Sequence, residues 1–148
     1  MITGPDVVCS PFEWQINLEK LLNTYLSESD RIHERFTMPR LSGVTTFIKH
    51  YAANNSPYYK IGIVSPNERA SVDLMRQMKA DRGYYKHFNS ENLFYFNLYG
   101  FENGMKGLRL DIVLLDLNDS DPFRNRQPLS FTLATTKMIV EFNQEIPY

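Results

Sequence analysis

Apolar side chains at Leu18, Leu21, Leu22, Tyr25 and Leu26 recur at i, i+3, i+4, i+7 and i+8. That spacing marks one face of a helix, which begins near Ile16 and ends in the polar run Ser27–Asp30. Pro5 and Pro11 break the chain before it, so residues 1–11 read as an extended lead-in. Arg31–Thr37, with Ile32 and Phe36, is a strand running into a loop at Pro39. Thr45–Ala53 then reads as a helix burying Phe47, Ile48, Tyr51 and Ala52, stopped by Asn54-Asn55-Ser56-Pro57. Tyr59–Val64 is a short β-branched strand. Residues 67–81 form a helix started by Asn67 or Ser65, with Val72, Leu74, Met75 and Met78 as apolar positions and Gly83 as terminator.

Leu93–Tyr99 is an aromatic strand, and residues 100–107 hold three glycines in a loop. Leu110–Leu115 is apolar apart from Asp111, as suits a strand buried on both faces of a parallel sheet. Ser130–Thr135 and Lys137–Phe142 complete the strand set. Strand and helix alternate over residues 31–115, which predicts an α/β domain with a mainly parallel central sheet flanked by helices. With 148 residues, the chain is expected to be one domain over 1–148, burying roughly 70% of its unfolded surface.

Charge and composition narrow the function only slightly. A net charge of −1 gives no global attraction to nucleic acid or acidic membranes. The single cysteine, Cys9, cannot form an intrachain disulfide, and no Cys/His cluster suggests zinc. That fits a reducing interior. No apolar run approaches 18 residues, and Met-Ile-Thr-Gly-Pro-Asp lacks the basic and apolar parts of a signal peptide. The expectation is therefore no membrane. His33, His50 and His87 are scattered in sequence, and no G-x-S-x-G elbow supports a hydrolase.

The candidate chemistry lies between Met38 and Ile48. A phosphate-binding loop reads G-x-x-x-x-G-K-[ST]: backbone N–H groups and a lysine hold phosphates, and the hydroxyl reaches magnesium. Gly43, Thr45 and Thr46 stand where the pattern wants them, while Met38 replaces the first glycine and Val44 the lysine. Three further segments occur in order around this loop. Phe12-Glu13-Trp14-Gln15 precedes the first helix. Ile61–Asn67 is a strand and turn before a helix. Lys106–Asp116 leads into an apolar strand ending on Asp116.

Read together, these segments resemble the ATPase domain of phage large terminases, the DNA-packaging motors, and more distantly RecA-like helicase cores. The resemblance spans roughly residues 11–136 and implies a three-layer P-loop NTPase-like domain. It implies an adenine-recognising role for Gln15, and a phosphate-loop role for Arg40, Ser42, Gly43, Thr45 and Thr46. It makes Asp116 the magnesium carboxylate, wherever a magnesium nucleotide still binds. Leu133-Ala134-Thr135-Thr136 would stand for the coupling motif at the end of a later strand. Simpler readings coexist with these. Gln15 also fits a polar residue near a helix start, and Gly43, Thr45 and Thr46 a tight strand-to-helix turn with an N-cap hydroxyl.

Two departures bear on activity. Val44 removes the cation that neutralises phosphate charge, with Arg40 as a partial substitute. Leu117 stands where the family places the glutamate that activates water, and leucine cannot take a proton. Asp119 and Asp121 are near, but a two-residue shift moves a carboxylate by about 7 Å. The sequence thus predicts a catalytically inactive relative that requires no cofactor and retains at most residual ATP and magnesium. It would be a phage protein, cytoplasmic in an infected cell or virion-associated. Its partner would be a motor, a helicase or its own copies. A divergent or composite-site ATPase and a structural virion protein are the alternatives. Arg76, Lys79, Arg82, Tyr84, Tyr85 and Lys86 form a basic-aromatic segment suited to nucleic acid or a partner, diluted by Asp73 and Asp81, and equally readable as a solvated helix face. Arg124 and Arg126 flank the Pro122–Pro128 loop as another candidate contact.

Overall fold

The computed structural model describes residues 13–27, 32–38, 43–81, 88–97, 109–118 and 136–144. Three helices, α1 (Glu13–Ser27), α2 (Val44–Asn55) and α3 (Glu68–Asp81), accompany five strands. These are β1 (Ile32–Met38), β2 (Ile61–Ser65), β3 (Leu93–Asn97), β4 (Ile112–Asn118) and β5 (Met138–Gln144). The strands form one sheet in the order β1-β5-β4-β2-β3, and every pairing is parallel. This is an α/β fold of the three-layer kind, as the alternation of elements predicted. The expected lead-in at 1–11, the strand at 130–135 and the terminator Gly83 lie outside the described residues.

Both faces of the sheet are buried. Ile61, Ile63, Ile112, Leu114, Met138, Val140 and Phe142 face one cluster with the apolar sides of α1, α2 and α3. Val64, Val113, Leu115, Leu117 and Ile139 form a second cluster with Leu110 on the opposite face. Period-2 alternation therefore sends each strand's side chains into two cores, which explains why β2 and β4 read as unbroken apolar runs. At roughly 1.5–3 kcal/mol per fully buried large apolar side chain, these clusters are the main stabilising term.

The helices follow their predicted faces with two differences. In α1, Trp14, Leu18, Leu22 and Leu26 are buried, but Leu21 is 39% exposed. At 100° per residue Leu21 falls on the rim of the arc those four define. In α3 only Ser71, Leu74 and Met78 are buried, and Val72 and Met75 are half-buried on the side facing β3. α3 is started by Asn67, whose Oδ1 accepts from Ala70 N at 2.9 Å. α1 ends where Lys137 Nζ donates to the Leu26 carbonyl, a cation at the negative end of the helix. Asp111 interrupts the apolar run before β4 because its carboxylate accepts the Lys60 N–H at 2.9 Å and aligns the starts of β2 and β4. Lys49 on α2 reaches Gln77 on α3 at 3.0 Å and joins the two outer helix surfaces.

Gly62, within β2, has no side chain because there is no room for one. A Cβ there would stand 2.7 Å from Leu110 Cδ1 and 3.2 Å from Phe96 Cε2. Gly62→Ala is expected to cost about 1–3 kcal/mol in urea unfolding. In a Leu110→Ala background the increment should shrink, because the clashing methyl is gone. Equal increments in both backgrounds would show that the clash is not the cause.

Candidate functional site

The site lies where α2 begins, at the carboxyl ends of β1 and β4, the edge at which open α/β sheets bind ligands. Gly43 precedes α2 with φ 86° and ψ 23°, the left-handed region that only glycine enters without strain. It is the helix N-cap, and no side chain caps the helix. The N-cap hydroxyl expected from sequence is therefore not what shapes this turn. The Gly43 carbonyl accepts two bonds, from Phe47 N–H at 3.0 Å and from Gln15 Nε2 at 3.0 Å.

Thr45 Oγ1 donates to Asp116 Oδ2 at 2.8 Å, across 71 residues of chain. Asp116 is half-buried on the sheet face that carries the helices, one residue from Leu115 and Leu117, which point the other way. The arrangement brings together Gln15, Gly43, Thr45 and Asp116 from three separated segments. Thr46, exposed, follows in the first turn of α2. Arg40 and Ser42 lie outside the described residues.

Val44 does not face this group. It is 1% exposed and packs in the main core with Phe47 and Ile48. Leu117 is 2% exposed and packs in the second core. Neither position can supply charge or take up a proton.

Gln15 is buried, and its amide N–H is used on the Gly43 carbonyl rather than held out toward solvent. Beside it, Trp14 packs on Phe47 at a ring-centroid distance of 5.7 Å, and Phe47 stacks on Tyr51 at 5.7 Å and 18°. α1 and α2 run alongside each other, with Gln15 near Gly43 and Asn23 bonded to Tyr51 Oη at 3.2 Å. Between them lies a cleft of about 310 Å³, reaching from Thr46 to Asn54.

Hydroxyl and carboxylate oxygens are hard donors, the set that suits magnesium held jointly with phosphates and water. Thr45 and Asp116 fit that role. Among the described residues no group of three or more His, Cys, Asp or Glu side chains gathers to hold a metal. Arg76 and Lys79 are exposed on α3, with the exposed Asp73 one turn before Arg76, a mixed-charge face. Arg82, Tyr84, Tyr85 and Lys86 lie outside the described residues, as do Arg124, Arg126 and Leu133–Thr135. Thr136 lies two residues before β5, at the end of the sheet opposite Asp116. It is buried, and its hydroxyl has no hydrogen-bond partner among the described residues.

Sequence reading missed Glu141. It is 3% exposed within β5 and pairs with His33 Nε2 on β1. A carboxylate inside Met138-Ile-Val-Glu-Phe142 is the signal, since a buried charge is costly without a partner. Among the described residues no helix is long and apolar enough to cross a membrane. No protein-family model and no curated protein matches the chain.

Two measurements check this geometry. Gln15→Leu removes one of two donors to the Gly43 carbonyl and is expected to cost about 1 kcal/mol in urea unfolding. An unchanged midpoint would show that the bond carries no weight. Burial, then the Glu19 carboxylate and Tyr59, raise the pKa of the Tyr51 phenol well above its ordinary 10.0. A raised folded pKa stabilises the fold fully below the unfolded value, and that contribution is lost as pH rises through and beyond it. Stability should therefore fall above pH 10.0, and Tyr51→Phe should flatten part of that fall in chemical denaturation across pH 8–12.

Proposed function

We propose that this chain is a degenerate P-loop ATPase-type domain, related in design to the terminase and helicase ATPases it resembles. In this reading it keeps the scaffold of a magnesium-nucleotide site, does not hydrolyse, and acts by binding. Its partner is a motor or helicase protein, its own copies or nucleic acid. The observation that carries the reading is the Thr45–Asp116 hydrogen bond beside the left-handed Gly43. Those residues are the hydroxyl, carboxylate and glycine that the motif reading assigned from sequence alone. A helix beginning there also offers free N–H groups to an anion.

Loss of hydrolysis follows from the two buried apolar positions. Phosphoryl transfer relies on positioning and on charge stabilisation of the transferred group. Val44 offers the phosphates no cation, and its side chain is held in the core. Leu117 offers attacking water no base. Magnesium, when bound with a nucleotide, would supply charge neutralisation. Thr45 and Asp116 would hold it, and Gly43 would let the backbone approach the phosphates.

The intact Thr45–Asp116 pair also favours a second reading, a composite site completed by a partner's lysine or arginine. Steady-state ATP hydrolysis by the purified chain, with and without DNA, separates the two. Turnover below about 10⁻³ per second is expected, against roughly 1–10³ per second for typical enzymes. A clear rate abolished by Arg40→Ala would overturn the inactive reading. A rate gained only on adding a packaging or helicase partner would support the composite one.

A further inference from the structure

We infer that the chain pairs with a second copy of itself along the outer edge of β3, with α3 of each copy lying antiparallel across the seam. The surface shares no residue with the Thr45–Asp116 group, and pairing there does not depend on the nucleotide reading. It makes the chain's own copies the partner among those named above.

The sheet ends on two different edges. β1, at one edge, carries His33, Glu34 and Arg35 among its seven residues. β3, at the other, reads Leu-Phe-Tyr-Phe-Asn and carries no charge. A sheet edge is a row of backbone donors and acceptors ready to take another strand, and charged side chains are one of the usual guards against that. β1 has this guard and β3 lacks it. Aromatic side chains also favour pairing across strands. No described strand pairs with the outer side of β3.

α3 decides what can arrive at that edge. At 100° per residue, Glu68, Val72, Met75 and Lys79 fall within about 60° of one another and form one stripe. Glu68, Val72 and Met75 line one wall of a groove of about 260 Å³, and Tyr95 and Asn97 line the other, so the stripe looks out over the β3 edge. The opposite side of α3, with Gln77 and Asp81, is turned to Lys49 of α2. Along the stripe the order is acidic, apolar, apolar, basic. Glu68 and Lys79 stand equally far from a point between Asp73 and Leu74, and so do Val72 and Met75. A stripe with that symmetry is complementary to its own reverse, which an unrelated partner would not require. A two-fold axis normal to the sheet supplies the reverse. It pairs two β3 strands antiparallel about their middle residue, Tyr95, and keeps both α3 helices on one face. Glu68 of each copy then meets Lys79 of the other, and Val72 meets Met75. Glu68 and Lys79 are exposed and make no ion pair with a described residue. Val72 and Met75, half-buried in one copy, are covered in two. An apolar centre with matched charges at the rim is the usual anatomy of an interface.

Sedimentation equilibrium of the full chain, from about 1 to 200 μM, is the test, with hydrogen exchange of the β3 amides as a second readout. One strand and one helix stripe a side make a small interface, so a dimer with Kd on the order of 10 μM is expected. Glu68→Lys and Lys79→Glu, each alone, bring like charges together at both ends of the seam. Each should weaken association by about tenfold. An equal mixture of the two variants should recover it, because every charge then meets its opposite. Mixing leaves each chain's own α3 unchanged, so recovery separates docking from an effect on the helix dipole. Amide exchange over Leu93–Asn97 should slow as the dimer forms. Lys20→Glu, on the exposed side of α1, should change nothing. A wild-type chain that stays monomeric throughout overturns the pairing and leaves the nucleotide reading standing. Fast-exchanging β3 amides would then leave the edge to a different protein, and protected ones to another part of the same chain. A dimer that the mixture does not recover, or that leaves β3 exchange unchanged, overturns the pairing as well.

Discussion

Gly43 opens α2 as a left-handed residue, and much of the domain depends on how that residue aims the helix. A residue with a side chain would carry a steric penalty there of roughly 1–2 kcal/mol. With the turn made, α2 lays Val44, Phe47, Ile48, Tyr51 and Ala52 onto the sheet. Phe47 then meets Phe142 of β5 at 5.8 Å and Trp14 of α1 at 5.7 Å, so one ring joins three elements. The same placement puts Thr45 on the opposite side of the helix start, within reach of Asp116. The core and the polar group are thus two faces of one helix turn, and neither can be moved without the other.

That geometry explains why the position after Gly43 carries an apolar side chain. The position after Gly43 lies where α2 first meets the core, and Val44 fills it at 1% exposure. A β-branched side chain contributes apolar burial there and asks for no partner, whereas a lysine would have to carry its charge out of the core. Leu117 makes the equivalent contribution on the other face of the sheet. Both side chains add apolar burial, while Asp116, on the helix-bearing face, has a polar partner in Thr45.

The local elements were legible in the sequence because their signals are local. The apolar face of α2 and the double-sided burial of β4 follow from periodicity, and the Asn67 start of α3 follows from cap chemistry. Leu21 was misplaced because a five-residue pattern cannot tell the centre of an apolar arc from its rim. The insertion of β5 between β1 and β4 was not legible, since parallel pairing is decided by packing between distant segments. Yet it is this insertion that sets the separation of Gly43 and Asp116. Asn143 and Gln144, aligned with Leu117 and Asn118 at the carboxyl end of β5, belong to the same edge and carried no motif to mark them. The partnership of Gln15 with Gly43 was hidden for a related reason: sequence can suggest that an amide is functional but not that a carbonyl 28 residues away will bind it.

That amide bond changes how the two halves of the site relate. Gln15 belongs to α1, and Gly43 to the turn that starts α2, so the bond fixes one helix against the backbone that would approach phosphate. The cleft lies between those same two helices. A ring pressed between α1 and α2 would therefore bear on the Gln15–Gly43 contact, and a shift of the Gly43 turn would bear on the width of the cleft. Coupling of this kind needs no signal passed through the core, because both events act on one hydrogen bond and one helix pair. Any ligand held between the two helices would act on that one bond.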